Sequence, residues 1–244
     1  MKNLILGDGL LGSELVRQTD WDYISRKKDG IDFTDYSTYE HLLESYNEII
    51  NCIAYTDTYS EEKDRHWNVN FAGVADLVHL CNFHNKKLIH ISSDYLYTHS
   101  KENASEEDVP VHCRNWYGYT KLLADSHIQL KSKNFLLLRG THKKEPFTYG
   151  NAWANQKGNF DYVSVMSRLY IKLIENNANG IYNVGTEVKT MSDLAKQTKF
   201  DVEWCYIRRE GSIPNNVTMS IDKMNKLLQW FISLPDVGWC ITRK

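Results

Sequence analysis

Lys2-Asn3-Leu4-Ile5-Leu6-Gly7-Asp8-Gly9-Leu10-Leu11-Gly12-Ser13-Glu14-Leu15-Val16-Arg17-Gln18 decides the fold. Lys2 to Leu6 is a short apolar run, and helical spacing takes over from Ser13 to Gln18. Between them stands G-x-G-x-x-G, from Gly7 to Gly12. Strand, glycine turn and helix together are the context in which this motif binds a dinucleotide. Gly7 permits the tight turn, Gly9 lets backbone approach a pyrophosphate, and Gly12 lets the helix pack on the strand. The helix amino terminus then offers free N–H groups and a positive dipole end to the phosphates. Gly7, Gly9, Leu10, Leu11 and Gly12 are therefore cofactor-binding candidates. A glycine-rich turn without a ligand is the alternative reading.

Outward from this stretch the chain alternates. Asp22 to Ser25 reads as a second strand, Glu48 to Ile53 as a third, Lys87 to Ile91 as a fourth and Asn134 to Leu138 as a fifth. A helix that begins near Ser60 places Trp67, Phe71, Val74, Leu77, Val78 and Cys81 at 3.6-residue spacing, as core. Strands separated by helices predict a parallel sheet covered on both faces, a doubly wound Rossmann-type α/β fold. Ligands in such sheets sit at the carboxyl ends of the strands. Gly7, Ala54, Ser93 and Arg139 all fall there.

Arg26-Lys27-Lys28 follow the second strand directly. An acid at that point suits the ribose hydroxyls of NAD, and basic residues suit the 2′-phosphate of NADP. NADP(H) is favoured, with Arg26 as a contact; Asp29 and Asp32 stand close by, and a solvated basic loop is the alternative. From Thr141 to Asn159 the chain is polar and aromatic without period, and reads as a long loop. Beyond it, Phe160 to Glu175 is helical, Gly180 to Gly185 is a short strand, and a last helix runs through Trp230. The expected division is a dinucleotide-binding domain over 1–141 and a small substrate lobe over most of 142–244, with segments at about 160–185 returning to the sheet.

Composition bounds the rest. The chain has 244 residues, of which 42% are hydrophobic and 25% charged, with a formal net charge of −2. These are ordinary globular values that give no reason to expect nucleic acid or an acidic membrane surface as partner. No membrane span or signal peptide is expected from the pattern. The five cysteines are scattered without a CxxC pair, so neither a metal site nor a disulfide framework is expected, and a reducing, cytoplasmic setting fits.

Tyr117-Gly118-Tyr119-Thr120-Lys121 carries the chemistry. A tyrosine and a lysine four residues apart share one helix face. An ammonium beside a phenol favours the phenolate, which would lower the tyrosine pKa. Ser93, in His90-Ile91-Ser92-Ser93-Asp94-Tyr95, follows an apolar run and would present its hydroxyl at a strand's carboxyl end. On any one helix, Tyr-x-x-x-Lys is also ordinary surface decoration.

With these pieces in order, the chain resembles an extended short-chain dehydrogenase/reductase, and most closely the dTDP-4-dehydrorhamnose reductase group of sugar-nucleotide reductases. The residues that carry the likeness are Gly7 to Gly12, Asp32-Phe33-Thr34-Asp35, Asn51-Cys52-Ile53-Ala54-Tyr55-Thr56 and Asn68-Val69-Asn70. They continue with His90 to Tyr97 and Tyr117 to Leu122. The resemblance implies that Ser93 hydrogen-bonds the substrate carbonyl, that Tyr117 donates the proton, and that Lys121 holds the nicotinamide ribose and lowers the tyrosine pKa. It also implies that Asp32 and Phe33 touch the adenine, that Ala54 and Tyr55 line the cofactor cleft, and that Asp94 and Tyr95 lie near the sugar. Trp153 would contact the sugar or base, or else pack within the lobe. Lys143, Lys144, Arg208 and Arg209 are candidates for a substrate diphosphate, with solvated surface charge as the alternative.

Two departures stand out. The family's glycine motif is more often one residue longer, and Asp8 sets a carboxylate beside the expected pyrophosphate unless it turns outward. The leading expectation is an NADP(H)-dependent reductase of a 4-keto-6-deoxy nucleotide sugar. An epimerase or epimerase/reductase, recruiting Cys113 or His142 as acid/base, is the second. A non-catalytic subunit that binds NADP or a nucleotide sugar is the third. A homodimer is an admissible assembly that the sequence does not fix.

Overall fold

The computed structural model describes residues 2–98, 100–108, 115–207 and 213–232. Cys113, Arg208 and Arg209 lie outside the described residues. The first strand, β1 (Asn3–Leu6), leads through the glycine turn into helix α1 (Leu10–Gln18), which starts inside the motif rather than after it. β2 (Asp22–Ile24) is followed by α2 (Arg26–Asp29), a single turn; Ser25 caps it by accepting from the Lys28 N–H. A short helix α3 (Glu40–Leu43) precedes β3 (Glu48–Asn51).

Helices α4 (Lys63–Trp67) and α5 (Gly73–Phe83) are joined by a π turn over Asn68–Ala72. That wider turn changes the angular position of what precedes it. Val74, Leu77, Val78 and Cys81 are buried as expected, but Trp67 is 41% exposed and lies edge-on to the half-buried Phe71. Uniform helical spacing from Trp67 to Cys81 therefore placed Trp67 in the core wrongly. Strand β4 (Lys87–Ile91), helix α6 (Trp116–Lys131) and strand β5 (Phe135–Arg139) complete the regular part.

The segment expected as a long loop holds short strands instead. They are β6 (His142–Lys143), β7 (Asn151–Trp153) and β8 (Lys157–Gly158), with β9 (Asp161–Tyr162) just after. Helix α7 (Val163–Glu175) packs on α1, and β10 (Gly180–Asn183) pairs with β5. Then come β11 (Lys189–Thr190), α8 (Met191–Lys196), β12 (Glu203–Cys205), β13 (Asn216–Val217) and α9 (Asp222–Ile232). Most of the short strands find distant partners: β7 pairs with β12, β8 with β11 and β13, and β6 with β9. Two-residue strands have no readable period, so only these pairings define them.

The central sheet is six-stranded and parallel throughout, in the order β10-β5-β4-β3-β1-β2. Successive strand residues point to opposite faces. Ile5, Ile50, Ile89 and Leu136 join the core under α1 and α7, while Leu4, Leu6, Ile49, Leu88 and Leu137 join the core under α5 and α6. Both faces are thus dry, which is why the strands read as continuous apolar runs. The strand order reverses between β1 and β3, and the crevice at such a switch point is where ligands bind in open α/β sheets.

Candidate active site

Gly7 has φ +97°, a left-handed conformation natural to glycine, and a Cβ there would press on the Ile53 side chain at 2.7 Å. A Cβ at Gly12 would run into the Gly7 carbonyl oxygen, whereas a Cβ at Gly9 meets nothing within 4 Å. Two glycines are thus required by packing, and the third faces open space. Gly9 starts α1 without a side-chain cap, so the first N–H groups of the helix remain free of one. An open cleft of about 490 Å³ adjoins them, with Asp8, Gly9, Leu10 and Ser13 on one wall and Lys144 and Glu145 on the other. The Asp8 carboxylate is turned toward the end of β2, where it accepts from the Ser25 hydroxyl at 3.0 Å. Backbone donors, room and a tethered Asp8 fit a dinucleotide pyrophosphate at this loop, with Arg17 and Lys144 lining the cleft alongside Glu14 and Glu145.

Gly12→Ala is accordingly expected to destabilise the chain by about 1–3 kcal/mol through forced displacement of the loop. Dinucleotide affinity should fall with it. A lowered urea midpoint, with binding followed by calorimetry, checks both, and an unchanged midpoint would contradict the packing argument.

At the end of β2, Arg26 and Lys27 are exposed, while Lys28 donates to the Tyr23 carbonyl at 2.9 Å and lies over its ring. Asp32 is exposed and held below the usual carboxylate range by hydrogen bonds from Thr34, backbone first, with Arg26 adding to this. The Phe33 ring is buried, stacked on Tyr39 at 6.0 Å and packed against Gly73. It belongs to the core formed with Tyr39, Val74 and Leu77. After β3, Ala54 is half-buried, and Tyr55 is clamped by Asn70, which accepts from its N–H at 2.7 Å and donates to its carbonyl at 2.9 Å. Asn70 lies in the π turn and also reaches Thr120 on α6.

The carboxyl ends of β4 and β5 assemble the rest. Ser93 is buried, caps a short 3-10 turn over Asp94–Tyr97, and accepts from the Tyr95 N–H at 3.2 Å. Asn115 caps α6 by accepting from the Gly118 N–H, which sets the start of the helix and the position of Tyr117 in its first turn. The Tyr117 ring stands edge-on to Tyr95 at 5.8 Å, which sets its phenol on the same side as the Ser93 turn. Burial pushes the phenol up to about 12, with the Ser93 hydrogen bond opposing. This reverses the expected lowering, because loss of solvation outweighs what the neighbours return. Lys121 is buried, and its Nζ donates to the Ile91 carbonyl at 2.8 Å and lies 2.8 Å from His90 Nε2. Burial brings it down to about 8, against the opposing pull of Asp125 and Cys52.

Asp94 is buried, accepts from the Thr141 hydroxyl at 2.5 Å, and is pushed up to about 6 by burial, with Thr141 and Lys143 opposing. Lys143 is in turn lowered by burial, with Asp94 opposing. His142 is held down to about 4, burial again leading. Trp153 is partly buried and packs against the core of Phe147, Phe160, Tyr162 and Met191. Arg139, expected among the ligand-facing ends, is buried and paired with Asp125. Asn51 and His90 received no role from sequence. The available signal was a polar residue at or near the carboxyl end of each of two strands with apolar middles.

A glycine loop at the head of β1, with serine, tyrosine and lysine drawn together at the ends of the middle strands, is the layout of an extended short-chain dehydrogenase/reductase. The chain belongs to the RmlD substrate binding domain family, which matches residues 1–196. It is 29% identical over 142 residues to a dTDP-4-dehydrorhamnose reductase of Mycolicibacterium smegmatis, covering 57% of this chain and 40% of that one. It is 25% identical over 176 residues to the spore coat polysaccharide biosynthesis protein SpsK of Bacillus subtilis, covering 69% and 58%. The chain thus spans about half the length of these curated relatives.

Among solved structures, a hypothetical dTDP-4-dehydrorhamnose reductase of Sulfolobus tokodaii superposes with a TM-score of 0.77 at 24% identity, over 93% of this chain and 94% of that one. A dTDP-4-dehydrorhamnose reductase of Bacillus anthracis in complex with NADP also gives 0.77, at 21% identity, over 95% and 99%. At these identities the likeness is one of fold. Among the described residues no helix is long and apolar enough to cross a membrane.

Proposed function

We propose that the chain is an NADP(H)-dependent reductase of a 4-keto-6-deoxy nucleotide sugar, of the dTDP-4-dehydrorhamnose kind. Residues 1–141 would hold the cofactor, and most of 142–244 the sugar. The observation that carries this reading is the convergence of the Ser93 turn after β4 with the first turn of α6, where Tyr117 stands against Tyr95 and Lys121 follows one helical turn further on. Family membership and relatives named as dTDP-4-dehydrorhamnose reductases support it.

The cofactor, when bound, supplies the hydride. The chain's part is to hold the ketone, meet its charge and give a proton. Negative charge grows on the ketone oxygen during reduction, and donors already in place stabilise it with little reorganisation. The Ser93 O–H and the Tyr117 O–H are those donors. A phenol held up to about 12 is protonated at neutral pH, so Tyr117 is ready to act as an acid. That state suits reduction; alcohol oxidation would need the phenolate. Asp94 and Tyr95 would then border the sugar, and Lys121 would face the nicotinamide ribose.

For the adenosine end, Arg26, Lys27 and Lys28 are exposed cations after β2, with Lys28 engaged by Tyr23, and the run favours NADP(H). Arg26→Ala should weaken NADPH binding about tenfold, equal to ~1.4 kcal/mol, and leave NADH binding unchanged. Equal losses for both cofactors would remove Arg26 from the phosphate.

The reading as a whole is tested by following NADPH absorbance with dTDP-4-dehydrorhamnose. Steady consumption with no solvent deuterium beside the ketone supports a simple reductase. Deuterium at those carbons would replace it with an epimerase/reductase. Tight binding of both ligands without consumption would leave a binding subunit.

A further inference from the structure

Asp8 stands outside the chemistry just described, yet it is pinned at two points. Its main-chain carbonyl accepts from the Ser13 hydroxyl at 2.7 Å, and its Oδ2 accepts from the Ser25 hydroxyl at 3.0 Å. The Gly7 N–H donates to the Ile24 carbonyl at 2.9 Å, so the glycine loop lies directly against the end of β2. Ser25 is buried and fully engaged in this arrangement. Its proton goes to Asp8, and its oxygen accepts from the Lys28 N–H at 3.1 Å. Asp8 itself is exposed on the wall of the cleft, and its Oδ1 has no hydrogen-bond partner among the described residues.

In dinucleotide-binding sheets the adenosine ribose is recognised at the carboxyl end of the second strand, by an acid that accepts from the 2′-hydroxyl. At that end this chain has Ile24, Ser25 and Arg26, none of them an acid. A carboxylate reaches the same corner from the glycine loop instead, carried across by the Ser25 tether. We propose that Asp8 is a determinant of dinucleotide choice, whose Oδ1 accepts from the 2′-hydroxyl of the adenosine ribose and opposes a phosphate at that position.

The argument is one of acceptors and charge. A ribose hydroxyl can donate to a carboxylate, whereas a 2′-phosphate brings only further acceptor oxygens and like charge. Arg26 and Lys27, exposed on α2, pull the other way. Two more acids lie near, and both are occupied. Asp29, last in α2, accepts from the Ser25 N–H at 2.9 Å, and Asp32 accepts from the Thr34 N–H and hydroxyl. The corner after β2 thus sets one acid with a spare oxygen against two cations, and the preference for NADPH over NADH is the balance between them. This rests on the dinucleotide reading of the glycine loop, and not on whether any sugar is reduced.

The test is calorimetry of the full chain with NADH and with NADPH, before and after Asp8→Asn. An amide oxygen at this position still accepts from Ser25, so the tether survives and the charge is lost. The ratio of NADPH to NADH affinity should rise about tenfold or more, with NADH bound more weakly. No change, or equal changes for both dinucleotides, overturns the proposal and leaves the dinucleotide reading in place. Failure of the unmodified chain to bind either dinucleotide overturns both.

Two further measurements close the remaining routes. Asp29→Asn removes a charge from the same corner without touching Asp8, and should move the ratio about twofold or less, as a screened charge does. A shift as large as that of Asp8→Asn would mean that diffuse charge decides, and would overturn the contact. The other needs no variant: 2′-deoxy-NADH, which lacks the hydroxyl, should bind the unmodified chain about tenfold more weakly than NADH, the worth of one hydrogen bond to a charged group. Equal binding of the two overturns the proposal even if Asp8→Asn does not fold.

Discussion

Tyr117→Phe is expected to lower turnover about 10²- to 10⁴-fold, the usual worth of a positioned general acid. NADPH affinity should stay within about twofold, because an interaction made only in the transition state affects turnover and not binding. The substitution is mild in structural terms. The ring keeps its edge-on contact with Tyr95 at 5.8 Å, and Asn115 still caps the helix through the Gly118 N–H. What disappears is the O–H that would reach the ketone oxygen. Ser93 remains as a second donor, so some rate above background should survive.

Because burial holds the phenol up to about 12, its titration leaves the profile of the unmodified chain flat between pH 6 and 9. Any limb in that range belongs to another group, and Lys121, brought down to about 8, is placed to supply it. Steady-state rates and NADPH calorimetry on the same preparation make the comparison. A fall in cofactor affinity as large as the fall in turnover would make Tyr117 a cofactor-holding residue instead of the acid.

Much of this site was legible because its signals are local. The turn from Gly7 to Gly12 is dictated by backbone sterics, which three glycines announce by themselves. The Tyr117–Lys121 spacing follows from helix geometry, and the alternation of apolar strands with helices needs no knowledge of partners. The features that escaped depend on where distant segments meet. Trp67 looked like core because the π turn after it leaves no mark in the apolar spacing.

The short strands between His142 and Gly158 exist through partners such as Asp161 and Glu203, and the sequence does not say which segments will pair. The Tyr117 phenol was expected to shift down because its lysine could be counted along a helix. Burial, which sequence does not report, moved it up. Asn51 and His90 escaped for the same reason: each is a polar residue near the end of its strand until the register sets them side by side.

Breaking the buried pair between Asp125 and Arg139 should have the largest effect on stability. Asp125→Ala is expected to cost about 3–5 kcal/mol, because a guanidinium would be left buried without its counter-charge. That is a large share of the roughly 5–15 kcal/mol that holds a domain folded. Both side chains are buried, with Nε 2.9 Å from Oδ2. The pair is the centre of a wider network: Ser92 donates to Asp125 at 2.6 Å, and Arg139 donates to the Tyr97 hydroxyl at 2.8 Å. Tyr97 in turn donates to Asn183 on β10. One ion pair thus ties α6 to the carboxyl ends of three neighbouring strands.

The same physics predicts that a double replacement by Leu at 125 and Met at 139 costs less than the sum of the single ones, since it removes both charges together. The coupling should be about 1–3 kcal/mol. Urea unfolding of the two single variants and the double one measures it, with the slope unchanged if only the folded state is affected. Additive losses would mean that water reaches the pair. Ser92 adjoins Ser93, and Asp125 lies one turn beyond Lys121. A variant that stays folded should therefore lose turnover through displaced donors, while the glycine loop at β1 keeps its hold on the dinucleotide.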